Sequence, residues 1–147
     1  MELSQLSGLE HLGAIISGDI PEPSIFETMG MFNLEATQGA VSLGCCATLR
    51  HCNPMGGVHG GFAATVLDSV TGCAVHTMLE AGVSYGTVDL AIKMMRPIPL
   101  NETLVAQAKV THVSLSLGVA EGTIRDAKGT LLASGTATCF IKRPKLL

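Results

Sequence analysis

The feature that most constrains the fold is a stretch that is apolar almost all round, built from Phe62, Ala63, Ala64, Val66, Leu67, Val70, Cys73, Ala74, Val75, Met78 and Leu79. A helix that is hydrophobic on every face belongs inside a protein, because no side of it gains from contact with water. The rest of the chain must therefore wrap around it. Gly82 is predicted to end this helix, and the glycine-rich run Asn53-Pro54-Met55-Gly56-Gly57-Val58-His59-Gly60-Gly61 leads into it.

What wraps the helix reads mainly as strand. Residues 87–95 alternate, with Val88, Leu90, Ile92 and Met94 predicted on one face and Thr87, Asp89 and Lys93 on the other. Residues 103–113 and 117–125 behave similarly about a turn near Ser114, and a last strand follows the turn Asp126-Ala127-Lys128-Gly129. The inner face predicted for that strand (Leu131, Ala133, Gly135, Ala137, Cys139, Ile141) is small, as are Ala106 and Ala108, so a helix can come close. Two more extended segments, broken near Gln38-Gly39, are expected between Phe26 and His51. Before them, Leu3, Leu6, Leu9, Leu12, Ile15 and Ile16 recur at helical spacing and Pro21 and Pro23 follow, which predicts a short amphipathic helix and a linker. The expected class is α+β, an antiparallel sheet of about six strands curled around one central helix.

With 147 residues the chain suits a single domain, with 1–24 as N-terminal helix and linker and 25–143 as the core. The net charge of -3 and the scattered Lys and Arg residues give no basic field for nucleic acid. The five cysteines (Cys45, Cys46, Cys52, Cys73, Cys139) show no CxxC spacing, which fits reduced thiols better than a disulfide framework or a zinc knuckle. Neither a leader-like start nor a membrane-length apolar run is present, so a cytoplasmic protein without a membrane partner is expected.

Between His51 and Leu79 the one formally charged residue is Asp68, in the middle of the apolar helix. A lone carboxylate there is costly to bury unless it is hydrogen-bonded, paired or open to a cleft. Helical spacing places Gly61, Ala64, Thr65, Asp68, Thr71 and Gly72 along one small-residue stripe. A substrate or partner can occupy the space above it, or Asp68 simply bonds a neighbouring loop in a closed core. Gly60 and Gly61 sit at the helix start, where free backbone N–H groups and the positive dipole can serve as an oxyanion hole, or where the pair only makes a tight turn. His59 can hold that turn or move a proton. Asn53 can donate its amide to a carbonyl or merely start a turn before Pro54. A metal site from His51, Cys52, His59 and Asp68 matches no familiar ligand spacing.

Taken together, the run from Asn53 to Gly61 followed by Asp68 resembles the signature of hotdog-fold thioesterases of the phenylacetate-pathway (PaaI-type) branch, and the resemblance extends from about Glu27 to Ile141. It implies that the Gly60 N–H polarises a thioester carbonyl with Asn53 assisting or positioning water, that Asp68 is the catalytic carboxylate, and that His59 holds the loop. Thr87 is the best match for the hydroxyl residue that holds the attacking water, and Gly61, Thr65 and Val88 are implied in substrate binding. A related branch, similar to hydroxybenzoyl-coenzyme A thioesterases, carries Glu where this chain has Asp68. The implied substrate is an acyl-coenzyme A, with no metal and no separate cofactor, since coenzyme A is part of the substrate. Gly60 and Asp68 lie eight residues apart, or about 12 Å along a helix, too far to meet at one carbonyl. This supports the obligate homodimer that the resemblance implies, with Asn53, His59 and Gly60 of one chain facing Asp68 and Thr87 of the other, and a dimer of dimers is the implied larger assembly. Two other readings of such a domain are a non-catalytic acyl-thioester sensor and a hydratase or dehydratase.

Overall fold

The computed structural model describes residues 2–145, and its centre is the helix that the apolar stretch demands. That helix is preceded by α1 (Gly8–Ser17), α2 (Ser24–Thr28), β1 (Met31–Thr37) and β2 (Ala40–Cys45). The central helix is α3 (Gly60–His76), and β3 (Ser84–Met94), β4 (Leu104–Val113), β5 (Leu117–Arg125) and β6 (Leu131–Lys142) complete the chain. The strands form a single six-stranded sheet in the order β1-β2-β4-β5-β6-β3, with every neighbouring pair antiparallel. This is the α+β hotdog plan expected from the sequence. No helix among the described residues is long and apolar enough to cross a membrane.

Small residues let the sheet close on α3. Ala106, Ala120, Ala133 and Ala137 are fully or almost fully buried beneath it. At Gly118 a Cβ would stand 2.6 Å from Val75 Cγ1, so the approach there depends on glycine. Against this face α3 packs Phe62, Val66, Leu67, Val70 and Val75, all buried. The small inner face predicted for the last strand is the one observed.

Several local expectations are corrected. Helix α3 ends at His76 rather than at Gly82. The Thr77 hydroxyl donates to Ala74 O at 2.6 Å and accepts the Gly39 N–H at 2.8 Å, so the β1–β2 turn stops the helix. Gly82 does take a left-handed φ of 78°, in the turn that follows. The first extended segment begins at Met31, because residues 24–28 form α2, a helix too short to show a period. In the N-terminal helix only part of the leucine pattern is packed: Leu12, Ala14 and Ile15 are buried, whereas Leu3 and Ile16 are exposed.

The largest correction concerns β3. Thr87 pairs with Cys139 and Asp89 with Thr138, leaving Val88 as the extra residue of a β-bulge. A bulge shifts the alternation by one, so Thr87 shares the inward face of β6 with Leu90 and Ile92 instead of opposing them. Val88 is 65 % exposed and Met94 55 %, so the half-buried face predicted for this strand is only partly buried. β3 is an outermost strand of the sheet.

Candidate active site

The loop from Asn53 to His59 is held by its own groups. Asn53 Oδ1 accepts the amides of Met55 at 3.0 Å and Gly57 at 3.2 Å, an Asx-type turn. Its Nδ2 has no acceptor among the described residues. His59 is the N-cap of α3, and its Nδ1 accepts the Gly61 N–H at 2.7 Å. That bond assigns the ring proton to Nε2. A Cβ on Gly61 would stand 2.8 Å from His59 Nδ1, so the cap needs glycine there. The Gly60 N–H has no acceptor among the described residues. It belongs to the first turn, where the helix dipole favours an electron-rich oxygen. A cleft of about 250 Å³, lined by His59, Gly60, Ala63, Met94 and Arg96 among others, opens beside it.

Asp68 stands further along the same helix. The residue is half-buried, while its Oδ1 is fully buried and has no hydrogen-bond partner among the described residues. An orphaned carboxylate oxygen is a standing cost unless function retains it. Around it lie two thiols and a phenol that stay protonated. Burial, and then the Asp68 charge, push Cys73 up to about 11. Tyr85 is raised by burial first and then by Cys73, Cys139 and Asp68. Burial and Asp68 likewise raise Cys139, although the Thr87 hydroxyl, 3.8 Å from its sulfur, pulls the other way. Neither thiol is activated as a nucleophile, and the carboxyl is left as the cluster's candidate for chemistry.

The predicted small-residue stripe is shorter than expected. Thr71 is fully buried and donates to Leu67 O at 2.6 Å, and Gly72 is buried under Tyr85. Gly61, Ala64, Thr65 and Asp68 keep partial access, with the Thr65 hydroxyl donating to Gly61 O at 2.9 Å. Within one chain, then, Asn53, His59, Gly60 and Gly61 gather at the helix start, while Asp68, two turns on, acts on Tyr85 and on Cys139, whose sulfur lies 3.8 Å from the Thr87 hydroxyl. Tyr85, Cys139 and Met94 are not among the site residues the sequence indicates, and it is the β3–β6 register that seats Tyr85 against the helix opposite Ile141. His51 is occupied otherwise, its Nε2 lying 2.8 Å from Thr28 O and its Nδ1 accepting the Thr48 N–H at 3.0 Å. A larger cleft, about 480 Å³ between Glu35, Ser42, Lys109 and Glu121, lies on the outer face of the sheet, away from both groups.

Residues 55–133 match the thioesterase superfamily, a span that holds Gly60, Asp68 and Thr87 and begins just after Asn53. A candidate esterase of Halobacterium salinarum is 30% identical over 141 residues, covering 88% of this chain and 92% of the relative. Human acyl-coenzyme A thioesterase 13 is 33% identical over 90 residues, or 60% of this chain and 64% of that protein. The crystal structure of a phenylacetic acid degradation-related protein from Ralstonia eutropha JMP134 superposes with a TM-score of 0.80 at 29% identity, over 88% of this chain and 98% of that one. The match runs through α3, which carries Gly60, Gly61 and Asp68, and on that footing the chain belongs to the thioesterase superfamily, as a thioester hydrolase with the hotdog fold.

Proposed function

We propose that the chain hydrolyses acyl-coenzyme A thioesters at sites shared between two copies, the Gly60 N–H coming from one subunit and the Asp68 carboxylate from the other. The observation that carries this reading is the pair of unmet needs on α3: a free N–H at Gly60 and an unpartnered oxygen at Asp68, about 12 Å apart along the axis. One carbonyl centre cannot touch both. A two-fold copy supplies the missing half twice over, and β3, with its exposed Val88 and Met94 at the sheet edge, is the strand through which such a copy can continue the sheet.

In this reading the thioester oxygen lies at the start of α3, with the Gly60 N–H and the Asn53 Nδ2 donating to it. Asp68 of the facing subunit takes a proton from a water held by Thr87 as that water attacks the carbonyl carbon. The oxyanion gathers at the helix terminus, where fixed dipoles need no reorganisation. When it collapses, the C–S bond breaks, and the coenzyme A thiolate leaves with the proton that Asp68 holds. His59 acts through its cap, keeping the Gly60 amide in place, while Gly61, Thr65 and Val88 border the substrate. No further cofactor enters.

Thiol release over a panel of acyl-coenzyme A substrates tests the reading, with wild type set against Asp68→Asn. The expected outcome is release by wild type and a fall of about 10²–10⁴-fold in the variant. Equal rates would remove Asp68 from the mechanism, and no release from any substrate would remove the activity.

A further inference from the structure

Met94 is the last residue of β3, and its backbone is fixed. It pairs with Ala133 of β6, and the amides of Met95 and Arg96 just beyond it both donate to Leu132 O, at 2.9 and 3.0 Å. Its side chain is freer, being unbranched on a residue that is 55 % exposed. That side chain rests on Gly60. Apart from the glycine's neighbours in the chain and its own helix, the only atoms among the described residues within 4 Å of a Cβ placed on Gly60 are Met94 Sδ and Cε, both at 3.1 Å. The Gly60 nitrogen is two bonds from that Cβ position, so the thioether borders the free N–H, and Met94 lines the cleft of about 250 Å³ that opens there. A thioether sulfur is a weak acceptor, which leaves the N–H to a stronger one.

We infer that Met94 is an oxidation site through which a peroxide closes the oxyanion hole. The inference rests on the site proposed above, in which the Gly60 N–H holds the thioester oxygen. A peroxide molecule is smaller than any acyl thioester, so the cleft that admits a carbonyl to Gly60 admits it to Met94 as well. The Met94 sulfur attacks one peroxide oxygen, the O–O bond breaks, and the other oxygen leaves as water. Sulfur is oxidised by two electrons, the peroxide is reduced, and the sulfur keeps one oxygen as a sulfoxide. A weak acceptor has then become a strongly dipolar one, beside an unpaired donor at the positive end of a helix. The sulfoxide oxygen accepts the N–H that the thioester oxygen needs. Met55 is more open, at 95 % exposed, but lies on the loop and away from the atoms that border Gly60, so its oxidation leaves the donor free.

The test treats wild type, Met94→Leu and Met55→Leu with hydrogen peroxide. Mass spectrometry follows the oxygen added to each methionine peptide, and thiol release gives kcat/KM as a fraction of the same protein's untreated value. Wild type is expected to lose about tenfold or more in step with oxidation of Met94, not of Met55. Methionine sulfoxide reductase with a thiol reductant should restore it, which separates the effect from overoxidised cysteines. Treated Met55→Leu should lose as much as wild type, whereas treated Met94→Leu should keep most of its own untreated value with Met55 fully oxidised. An equal fractional loss in Met94→Leu overturns the inference. So does a wild type that stays active with Met94 converted, or one that loses activity while Met94 stays unoxidised. Should Met94→Leu fail to fold, the wild-type time course and its repair by the reductase decide the matter. In each overturning outcome untreated wild type still releases thiol, so the thioesterase reading survives; absence of release from every acyl-coenzyme A overturns that reading and this inference with it.

Discussion

At the start of α3 most polar groups are already engaged with near neighbours in sequence, whereas two turns further on polar atoms stand without partners. Asn53 bonds Met55 and Gly57, and His59 bonds Gly61. Asp68 Oδ1, by contrast, is buried with nothing to accept. The first region is a finished device that presents one free N–H. The second is half of a device, completed by whatever covers it. A locally satisfied loop can fold on its own, while on the proposed two-subunit reading the orphaned carboxyl is tolerated because a partner and the substrate supply what it lacks.

The strongest way to break this contrast is to disable each region separately and then mix the products. Asp68→Asn should lose about 10²–10⁴-fold in kcat/KM. Gly60→Pro removes the free N–H at the helix position that best tolerates proline, with the Met94 side chain, 3.1 Å from the Gly60 Cβ position, able to move aside. Its expected loss is about 10²–10³-fold. If the two regions meet across subunits, unfolding and refolding an equal mixture restores about a quarter of the wild-type sites, since each mixed dimer holds one intact pair. Recovery of no activity by the mixture, with both variants folded and dimeric, would place the two groups in one chain's site after all.

A smaller effect sharpens the claim that the first region is self-contained. His59→Ala removes the cap on Gly61 and should cost about 0.5–2 kcal/mol of stability in urea unfolding. His59→Asn, a good capping residue, should recover most of that stability. Activity that follows stability through both variants supports a positioning role. Activity lost in His59→Asn despite restored stability would assign the imidazole a part in proton transfer.

The contrast also explains what the sequence disclosed. The glycine-rich loop, the all-apolar helix and the isolated Asp68 are local patterns, readable because capping, periodicity and burial cost act within a few turns. Membership of the fold followed from them. The facing of Thr87 was not legible, because the bulge at Val88 is set by how β3 pairs with β6. Tyr85 was missed for the same reason, since strand pairing seats its ring against the bare Gly72 of α3. The end of α3 was misplaced because Thr77 answers to Gly39, far off in the chain, and no propensity encodes that bond.

The mildest expected effect probes the histidine pair beside Tyr85. His76 faces His11 from α1 and Tyr85 from β3. Burial, and secondarily the His11 ring, hold its pKa down at about 4 against an ordinary 6.5. A buried imidazolium loses its hydration and would face the His11 ring, so the folded chain resists a proton that the unfolded chain accepts. Stability from this pair is therefore complete above pH 6.5 and drains as pH falls from 6.5 towards 4. Partial exposure of the ring screens the effect, leaving about 1 kcal/mol or less, which is roughly 2–4 °C in Tm. Thermal unfolding across that range should slope less steeply in His76→Gln, which cannot titrate, than in wild type. Parallel slopes would mean that acid destabilisation arises elsewhere, and that the His11–His76 pair carries no pH dependence of its own.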